Sequence, residues 1–312
     1  MMITMRPRKN PATIIVFLIV WLFGLAVVDA AVAAIKGDPV RGGKLYAAWD
    51  RTTGVDEDAL PSGEHPLWGT QTTNQQTGIY TWRCSSCHGW DYLGAQGAFG
   101  KGRPGYTGFP GVLQTRDLPS KDIRAWLDGS NNPDHNFTPY LGEDDIESLI
   151  LFLNTQLIEL TLIINPETGD SLGNGQLGEE LYKTECKACH GTDGAKINFG
   201  SAATPDFVGN RGDENPWKVV HWIRFGHQEA VVPTSDQIGW SVIEVADLLA
   251  YTQVLPTARL PEPTPPPVEQ LDYSTQGDTR SLVLAAAAIS LVILGGVGLV
   301  SRREKGTLPG KQ

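Results

Sequence analysis

The sequence predicts two related helical units between two apolar ends. Three observations lead to this prediction: a short motif that occurs twice, an amphipathic helix near the end of each unit, and apolar runs near both termini. The chain has 312 residues, which suffices for two domains of roughly 100–150 residues each in addition to the ends. Its 35 glycines and 21 prolines indicate globular units that are rich in loops.

The N-terminal end has the pattern of an export signal. A basic stretch over 6–9 precedes an apolar run over 13–28, and small residues over 31–33 match a cleavage site. Residues 1–34 are therefore predicted to be a signal peptide, with an uncleaved membrane anchor as the alternative. Either interpretation places the residues that follow outside the cytoplasm.

The C-terminal end is predicted to anchor the chain in a membrane. Residues 281–300 form an uncharged run, and a helix of that length spans roughly 30 Å, the thickness of a bilayer core. Basic residues directly after this run place the short tail, 301–312, in the cytoplasm. The preceding segment, 256–280, is rich in proline and is predicted to be an extended stalk.

A degenerate repeat relates the two units. Gly42-x-x-Leu45-Tyr46 lies near the start of the first unit, which is predicted to span 35–160. Gly178-x-x-Leu181-Tyr182 lies near the start of the second, which is predicted to span 172–255.

Amphipathic helices are predicted near the end of each unit. Apolar residues at helical spacing occur over 143–154 and again over 241–254, where Ser241 and Glu244 form a capping box. The first unit is longer because of the segment 52–81. We predict that this segment is an inserted loop with a role of its own, since long loops in compact domains usually have one.

Each unit contains one Cys-x-x-Cys-His motif. The six residues are Cys84, Cys87 and His88 in the first unit, and Cys186, Cys189 and His190 in the second. These motifs use all four cysteines, so no separate disulfide framework exists. Two thiols at this spacing, followed by a histidine, place both sulfurs at one porphyrin edge and an imidazole at the iron. The motifs therefore predict two covalently bound haem c groups, whereas structural zinc would require a further donor set for each motif.

These residues resemble the class I cytochrome c family over about 38–255, and the chain is similar to a tandem, membrane-anchored member of it. The second unit is the closer match, through Gly178–Tyr182, its motif, Gly191-x-x-Gly194 and a final helix containing Tyr251. The surroundings of the first motif, Thr81–Cys84 and His88–Tyr92, also resemble such domains. The resemblance implies an all-α fold in which short helices surround each haem. It also implies that His88 and His190 are the proximal iron ligands.

The chain departs from this family in its second iron ligand. Class I domains usually supply a methionine shortly before the last helix, but the only methionines are Met1, Met2 and Met5 in the predicted signal. In the first unit His135 lies about where the family has that ligand, and imidazole suits iron. His135 is therefore the predicted distal ligand, with His65 in the insertion as its rival.

The distal ligand of the second haem is left open. The family position falls at Val232-Pro233, which offers no donor side chain. Either His227, five residues earlier, ligates this iron or the haem is five-coordinate; a lysine or a water molecule could also fill the site. His221, on a helix predicted near 217–225, is expected to be a packing or surface residue.

Four tryptophans near the motifs, Trp82, Trp90, Trp222 and Trp240, have two interpretations. They are expected to pack around the apolar porphyrins, and the alternative is an electron route between the haems.

The formal net charge of −10 argues against nucleic-acid binding, which needs a basic surface, and favours a basic protein partner. We expect a cell-membrane protein whose haem domains face the periplasm and transfer electrons between a membrane redox complex and an extracytoplasmic redox partner. No nucleophile constellation or substrate motif is visible, so no catalytic residue is assigned. The alternatives are a dihaem peroxidase or oxidase that uses an open second haem, with His227 or Glu229 as acid–base group, and a haem-based sensor.

Overall fold

A computed structural model describes residues 37–228 and 233–258, which all lie in one compact unit, Met1–Leu260. The predicted signal peptide, almost all of the stalk, the C-terminal apolar run and the tail lie outside the described residues. The described residues include no helix that is long and apolar enough to cross a bilayer. They are rich in helix and contain no β-strand, only isolated β-bridges, in agreement with the predicted all-α class.

Ten α-helices occur in the described residues. The first half contains α1 (Pro39–Thr52), α2 (Cys84–His88), α3 (Ser120–Leu127) and α4 (Glu143–Thr155). The second half contains α5 (Gly175–Leu181), α6 (Lys187–His190), α7 (Val208–Glu214), α8 (Pro216–Phe225), α9 (Ser235–Ile238) and α10 (Val242–Thr252). A π-helical turn, Tyr182–Cys186, joins α5 to α6. Short 3-10 turns interrupt the loops at Glu57–Ala59, Trp68–Thr70, Gly78–Trp82, Leu113–Asp117, Pro133–His135 and Leu160–Leu162.

The two predicted terminal helices are confirmed. Helix α4 matches the predicted 143–154 to within one residue. Helix α10 begins one residue after the predicted start because Ser241 is its N-cap, and both hydrogen bonds of the capping box to Glu244 are present.

Each half is built on the same helix crossing. Helix α1 packs against α4, and α5 packs against α10. A Cβ atom at Gly42 would overlap the carbonyl oxygen of Ser148, and one at Gly178 would overlap the carbonyl oxygen of Asp247. The first glycine of each repeated motif is therefore required because the two backbones touch there.

The tyrosine of each repeated motif also has the same partner. The hydroxyl of Tyr46 donates to the carbonyl oxygen of Gly89 at 2.6 Å, and that of Tyr182 donates to the carbonyl oxygen of Gly191 at 2.9 Å. Both glycines directly follow a motif histidine and have positive φ angles, 77° and 83°. The sequence repeat is thus also a repeat of tertiary contacts, one at the glycine and one at the tyrosine.

The two halves share one hydrophobic core. Phe225, Val245 and Leu249 from the second half join the core of the first, and the ring of Phe225 packs directly on Gly43. This core joins the two halves. The predicted division into one domain at 35–160 and another at 172–255 therefore stays a prediction.

A buried histidine connects the two halves. The Nε2 atom of His221 lies 2.8 Å from the carbonyl oxygen of Gly43, and its Nδ1 lies 2.8 Å from the hydroxyl of Tyr92. The side chain is 1% exposed. His221 was expected to be a packing or surface residue, and the structure shows that it is a packing residue; its hydrogen bonds fix α8 against the first half.

Candidate haem sites

The first motif is held in place by α1. The indole Nε1–H of Trp49 donates to the carbonyl oxygen of Trp82 at 2.9 Å, and Asp50 forms an ion pair with Arg83 at 2.6 Å. The hydroxyl of Ser85, between the two cysteines, donates to the carbonyl oxygen of Ala47 at 3.3 Å. These contacts fix the orientation of α2, and with it the two thiols and His88.

A cavity of about 470 Å³ opens beside this motif. Its volume lies in the range of small-molecule and cofactor sites, roughly 300–1,000 Å³. Cys84, Cys87, His88 and His135 all line it. Its other lining is largely apolar, including Trp82, Val112, Ile123, Leu127, Phe137 and Leu149. A largely apolar cavity whose wall includes two thiols and three imidazoles, with His65 as the third, fits a covalently bound porphyrin.

Backbone carbonyls set the tautomers of His88 and His135. The Nδ1 of His88 lies 2.7 Å from the carbonyl oxygen of Pro110, and that of His135 lies 2.9 Å from the carbonyl oxygen of Trp126. A carbonyl only accepts, so each Nδ1 carries a proton and donates, which leaves the Nε2 lone pair free for a metal. Neither carbonyl partner could have been predicted from the sequence, because any residue provides that acceptor.

The spacing of these two rings also fits one iron atom. Their centroids are 6.2 Å apart. Two imidazoles on opposite sides of a metal, each with its nitrogen about 2 Å away, have centroids roughly 6 Å apart. The structure thus brings together the predicted proximal and distal ligands of the first haem.

Burial keeps His88 and the two thiols of the first motif uncharged. It lowers the pKa of His88 to about 4, an effect that the hydrogen bond to Pro110 opposes and nearby His135 increases. It raises the pKa of the Cys84 and Cys87 thiols to about 12. The imidazole of His88 is consequently neutral at physiological pH, which is the form that binds a metal.

His65, the rival ligand, lines the same cavity but has the opposite tautomer. Its Nδ1 accepts a hydrogen bond from the backbone N–H of Leu67 at 3.2 Å. Burial lowers the pKa of His65 to about 4, so the ring is neutral and its single proton is on Nε2. This tautomer has no free lone pair for iron, and the geometry therefore favours His135.

The second motif also provides two thiols and an imidazole, the donor set that haem c requires. Cys186 is half-buried and Cys189 is exposed. Burial raises the pKa of Cys186 to about 11 and lowers that of His190. His190 lies 6.0 Å from the ring of Phe199.

Four buried polar atoms in this half lack partners. They are Nδ1 of His190, Oδ1 of Asp206, Nε of Arg211 and Nη1 of Arg224. The guanidinium of Arg211 lies over Phe199, the same ring that faces His190. Unpaired buried polar atoms are costly. Those of Asp206 and Arg211, which pair with each other beside the ring that faces His190, are consistent with a prosthetic group that completes this region.

The distal ligand of the second iron is not assigned. His227 lies just after α8, with its ring 5.2 Å from Trp222. Val232 and Glu229 lie outside the described residues. Ligation by His227, a five-coordinate iron, or a lysine or water ligand all stay predictions.

The tryptophans lie in different surroundings. Trp82 lines the first cavity, and Trp240 packs against the cluster of Tyr182, Leu248 and Leu255. Trp90 and Trp222 contact each other across the two halves, with centroids 6.3 Å apart. Packing beside a haem is thus supported for Trp82 by its place in the cavity wall.

No group of three or more histidine, cysteine or acidic side chains is arranged to hold a bare metal ion within residues 37–228 and 233–258.

Comparison with known proteins finds a match within the second half. Residues 173–251 match a family model described as cytochrome C oxidase, cbb3-type, subunit III. The match covers about a quarter of the chain and includes the second motif. No curated protein matches the chain. Residues 173–251 therefore form a cytochrome c-type domain, and domains of this type transfer electrons through covalently bound haem c.

Proposed function

We propose that the chain is a dihaem c-type cytochrome that transfers electrons, with one haem c on each Cys-x-x-Cys-His motif. The observation that supports the additional haem is the first cavity, which lies outside the matched residues. It combines two thiols and two imidazoles of matching tautomer and spacing in one apolar site.

The tertiary contacts that recur in both halves support the same proposal. The second half contains a cytochrome c-type domain. The first half has the same glycine at its helix crossing and the same tyrosine-to-glycine hydrogen bond after its motif. Two halves built on these shared contacts are expected to bind the same prosthetic group.

The described side chains explain how the first site would serve electron transfer. A haem c supplies one-electron transfer at its iron. His88 and His135 would hold this iron from both faces, which leaves no position for an added ligand. The apolar wall excludes water. Replacing methionine by histidine lowers the reduction potential, so the first haem is expected to have the lower potential of the two if the second has a weaker donor.

The cellular placement is part of this proposal. Export by residues 1–34 and anchoring by 281–300 would hold the haem domains on the periplasmic side of the cell membrane. The matched family is described as a subunit of an oxidase. The predicted membrane anchor and this family description both support a protein that acts beside a membrane redox complex, either as a carrier or as its electron-transfer subunit.

Ligand binding and turnover distinguish a carrier from a peroxidase or oxidase. We expect the protein to take up two electrons per chain in a reductive titration and to return both to an added oxidant. We expect no catalytic reduction of hydrogen peroxide, because no acid–base pair is assigned beside either iron. Sustained peroxide turnover, together with carbon monoxide binding to the second haem in the intact protein, would instead establish the enzyme.

A further inference from the structure

One residue of the first half has a backbone conformation that favours glycine. Tyr92 has a φ of 67°, and every other residue with a positive φ in the described part of the chain is a glycine. An aromatic L residue is strained in this left-handed region. The corresponding position of the second half, also four residues after the motif histidine, is Gly194 with a φ of 72°. The first half therefore keeps the same conformation with a tyrosine in place of a glycine.

The carbonyl of Tyr92 holds the segment that contains Pro110. Its oxygen accepts hydrogen bonds from the backbone N–H of Val112 at 2.8 Å and from that of Leu113 at 3.0 Å. The carbonyl oxygen of Pro110 in turn lies 2.7 Å from Nδ1 of His88. The backbone conformation of Tyr92 thus fixes the position of the acceptor for the predicted proximal ligand.

The corresponding contacts of the second half are weaker. The carbonyl oxygen of Gly194 accepts from the N–H of Val208 at 3.4 Å. Nδ1 of His190 has no partner within the described residues. The hydrogen bond on the motif histidine is therefore present in the half that has the tyrosine and absent from the half that has the glycine.

The side chain of Tyr92 is anchored by the second half. It is 1% exposed, and its hydroxyl lies 2.8 Å from Nδ1 of His221. Nε2 of His221 lies 2.8 Å from the carbonyl oxygen of Gly43, which only accepts. Burial lowers the pKa of His221 to about 3, so the neutral ring carries its proton on Nε2 and its Nδ1 accepts from the hydroxyl. A hydrogen bond to α8 thus holds the residue whose backbone is strained.

We propose that Tyr92 is a positioning residue that links His221 of the second half to the proximal ligand of the first haem. The anchored side chain of Tyr92 holds its left-handed backbone, which keeps the carbonyl of Pro110 on Nδ1 of His88. The inference rests on the proposed function, because it requires a haem in the first half.

This link is expected to lower the reduction potential of the first haem. A hydrogen bond from the second ring nitrogen makes an imidazole a more basic ligand. A more basic ligand stabilises the oxidised, more positive iron, so hydrogen bonds of this kind tune the potential of a haem. Loss of the anchor at Tyr92 should weaken the bond from His88 to Pro110 and raise the potential without changing the coordination of the iron.

The test measures the potential of each haem by redox titration of the full-length, haem-loaded protein. Tyr92→Phe keeps the ring but removes the hydroxyl, and His221→Leu removes the acceptor of that hydroxyl. Each variant should raise the potential of the first haem. The double variant should show no larger shift than the larger of the two single shifts, because both substitutions remove the same hydrogen bond. Additive shifts would contradict the link.

Val245→Ala is the matched control for a loss of core packing. Val245 is 1% exposed in the core that joins the halves, and it is not part of the link. This variant should unfold more easily but keep the potential of the first haem. In the reduced, low-spin protein, proton NMR should show faster solvent exchange of the Nδ1 proton of His88 in Tyr92→Phe than in Val245→Ala. Equal shifts of the potential in these two variants would make Tyr92 a packing residue only and overturn the inference.

A second pair of variants tests the role of the backbone. Tyr92→Gly and Tyr92→Ala both remove the side chain and its bond to His221, but only glycine adopts the left-handed conformation without strain. Tyr92→Ala should therefore raise the potential of the first haem more than Tyr92→Gly. Equal potentials would show that the backbone at this position does not transmit the effect, which would overturn the inference.

Failure of the proposed function is distinguishable from failure of this inference. Absence of haem at Cys84 and Cys87, measured by mass spectrometry of the digested protein, would overturn the proposed function itself. Haem that is present but keeps its wild-type potential in both Tyr92→Phe and His221→Leu would overturn only the link. A high-spin first haem in Tyr92→Phe would mean that an iron ligand had been lost rather than its hydrogen bond, which also overturns the inference.

Discussion

His135→Ala is expected to convert the first haem from a low-spin, ligand-inert state to a high-spin state that binds carbon monoxide and cyanide. In the native chain the bond from Nδ1 of His135 to the carbonyl oxygen of Trp126 leaves its Nε2 free for the iron. His65 is nearby but cannot replace His135 as the iron ligand, because it carries its proton on Nε2. The expected effect is complete conversion of one of the two haems, measured by absorption and electron paramagnetic resonance spectroscopy.

The matched control is His65→Ala in the same protein. It removes the other histidine of the distal wall and should leave the first haem low-spin and unreactive. If His135→Ala retains the native spectrum while His65→Ala becomes high-spin, the two histidines have been assigned the wrong way round.

His221→Leu is expected to lower the free energy of unfolding by about 2–4 kcal/mol. The substitution keeps an apolar side chain in the shared core but removes the partners of the Gly43 carbonyl and the Tyr92 hydroxyl. His221→Gln, which can both donate and accept, should recover part of the loss. Urea denaturation of the haem-loaded protein measures the free energy of unfolding of the wild type and of both variants.

The same residue predicts how stability depends on pH. Burial lowers the pKa of His221 from 6.5 to about 3. Between these values the unfolded chain binds a proton that the folded chain does not, so stability falls as pH falls from 6.5 towards 3. This single site accounts for a slope of about 1.4 kcal/mol per pH unit. The wild type should lose stability more steeply than His221→Leu between pH 6.5 and 4.5, and equal slopes would contradict the assignment.

Local features of the fold could be predicted from the sequence. Ser241 is the N-cap of helix α10 because the capping box to Glu244 acts within three residues. Helix α4 follows from its apolar spacing, and the six motif residues follow from their spacing and order. Each of these signals is contained in a short stretch of chain, so no tertiary contact was needed to find it.

Features that depend on distant contacts could not be predicted. The bond between His221 and the Gly43 carbonyl joins residues 178 positions apart, and nothing in the neighbourhood of either residue indicates it. The sequence identified His65 and His135 as rivals but could not distinguish them. That distinction depends on the bond from Leu67 to one ring and the bond from the other ring to Trp126, and both are set by the folded backbone.

The number of covalently attached haems tests the central claim most directly. Intact-mass measurement of the protein, expressed in a host that attaches haem c, should show two haems per chain. Cys84→Ala with Cys87→Ala should remove one of them, and Cys186→Ala with Cys189→Ala should remove the other. A wild-type mass with a single haem, unchanged when Cys84 and Cys87 are replaced, would contradict the proposal that the first cavity binds a haem.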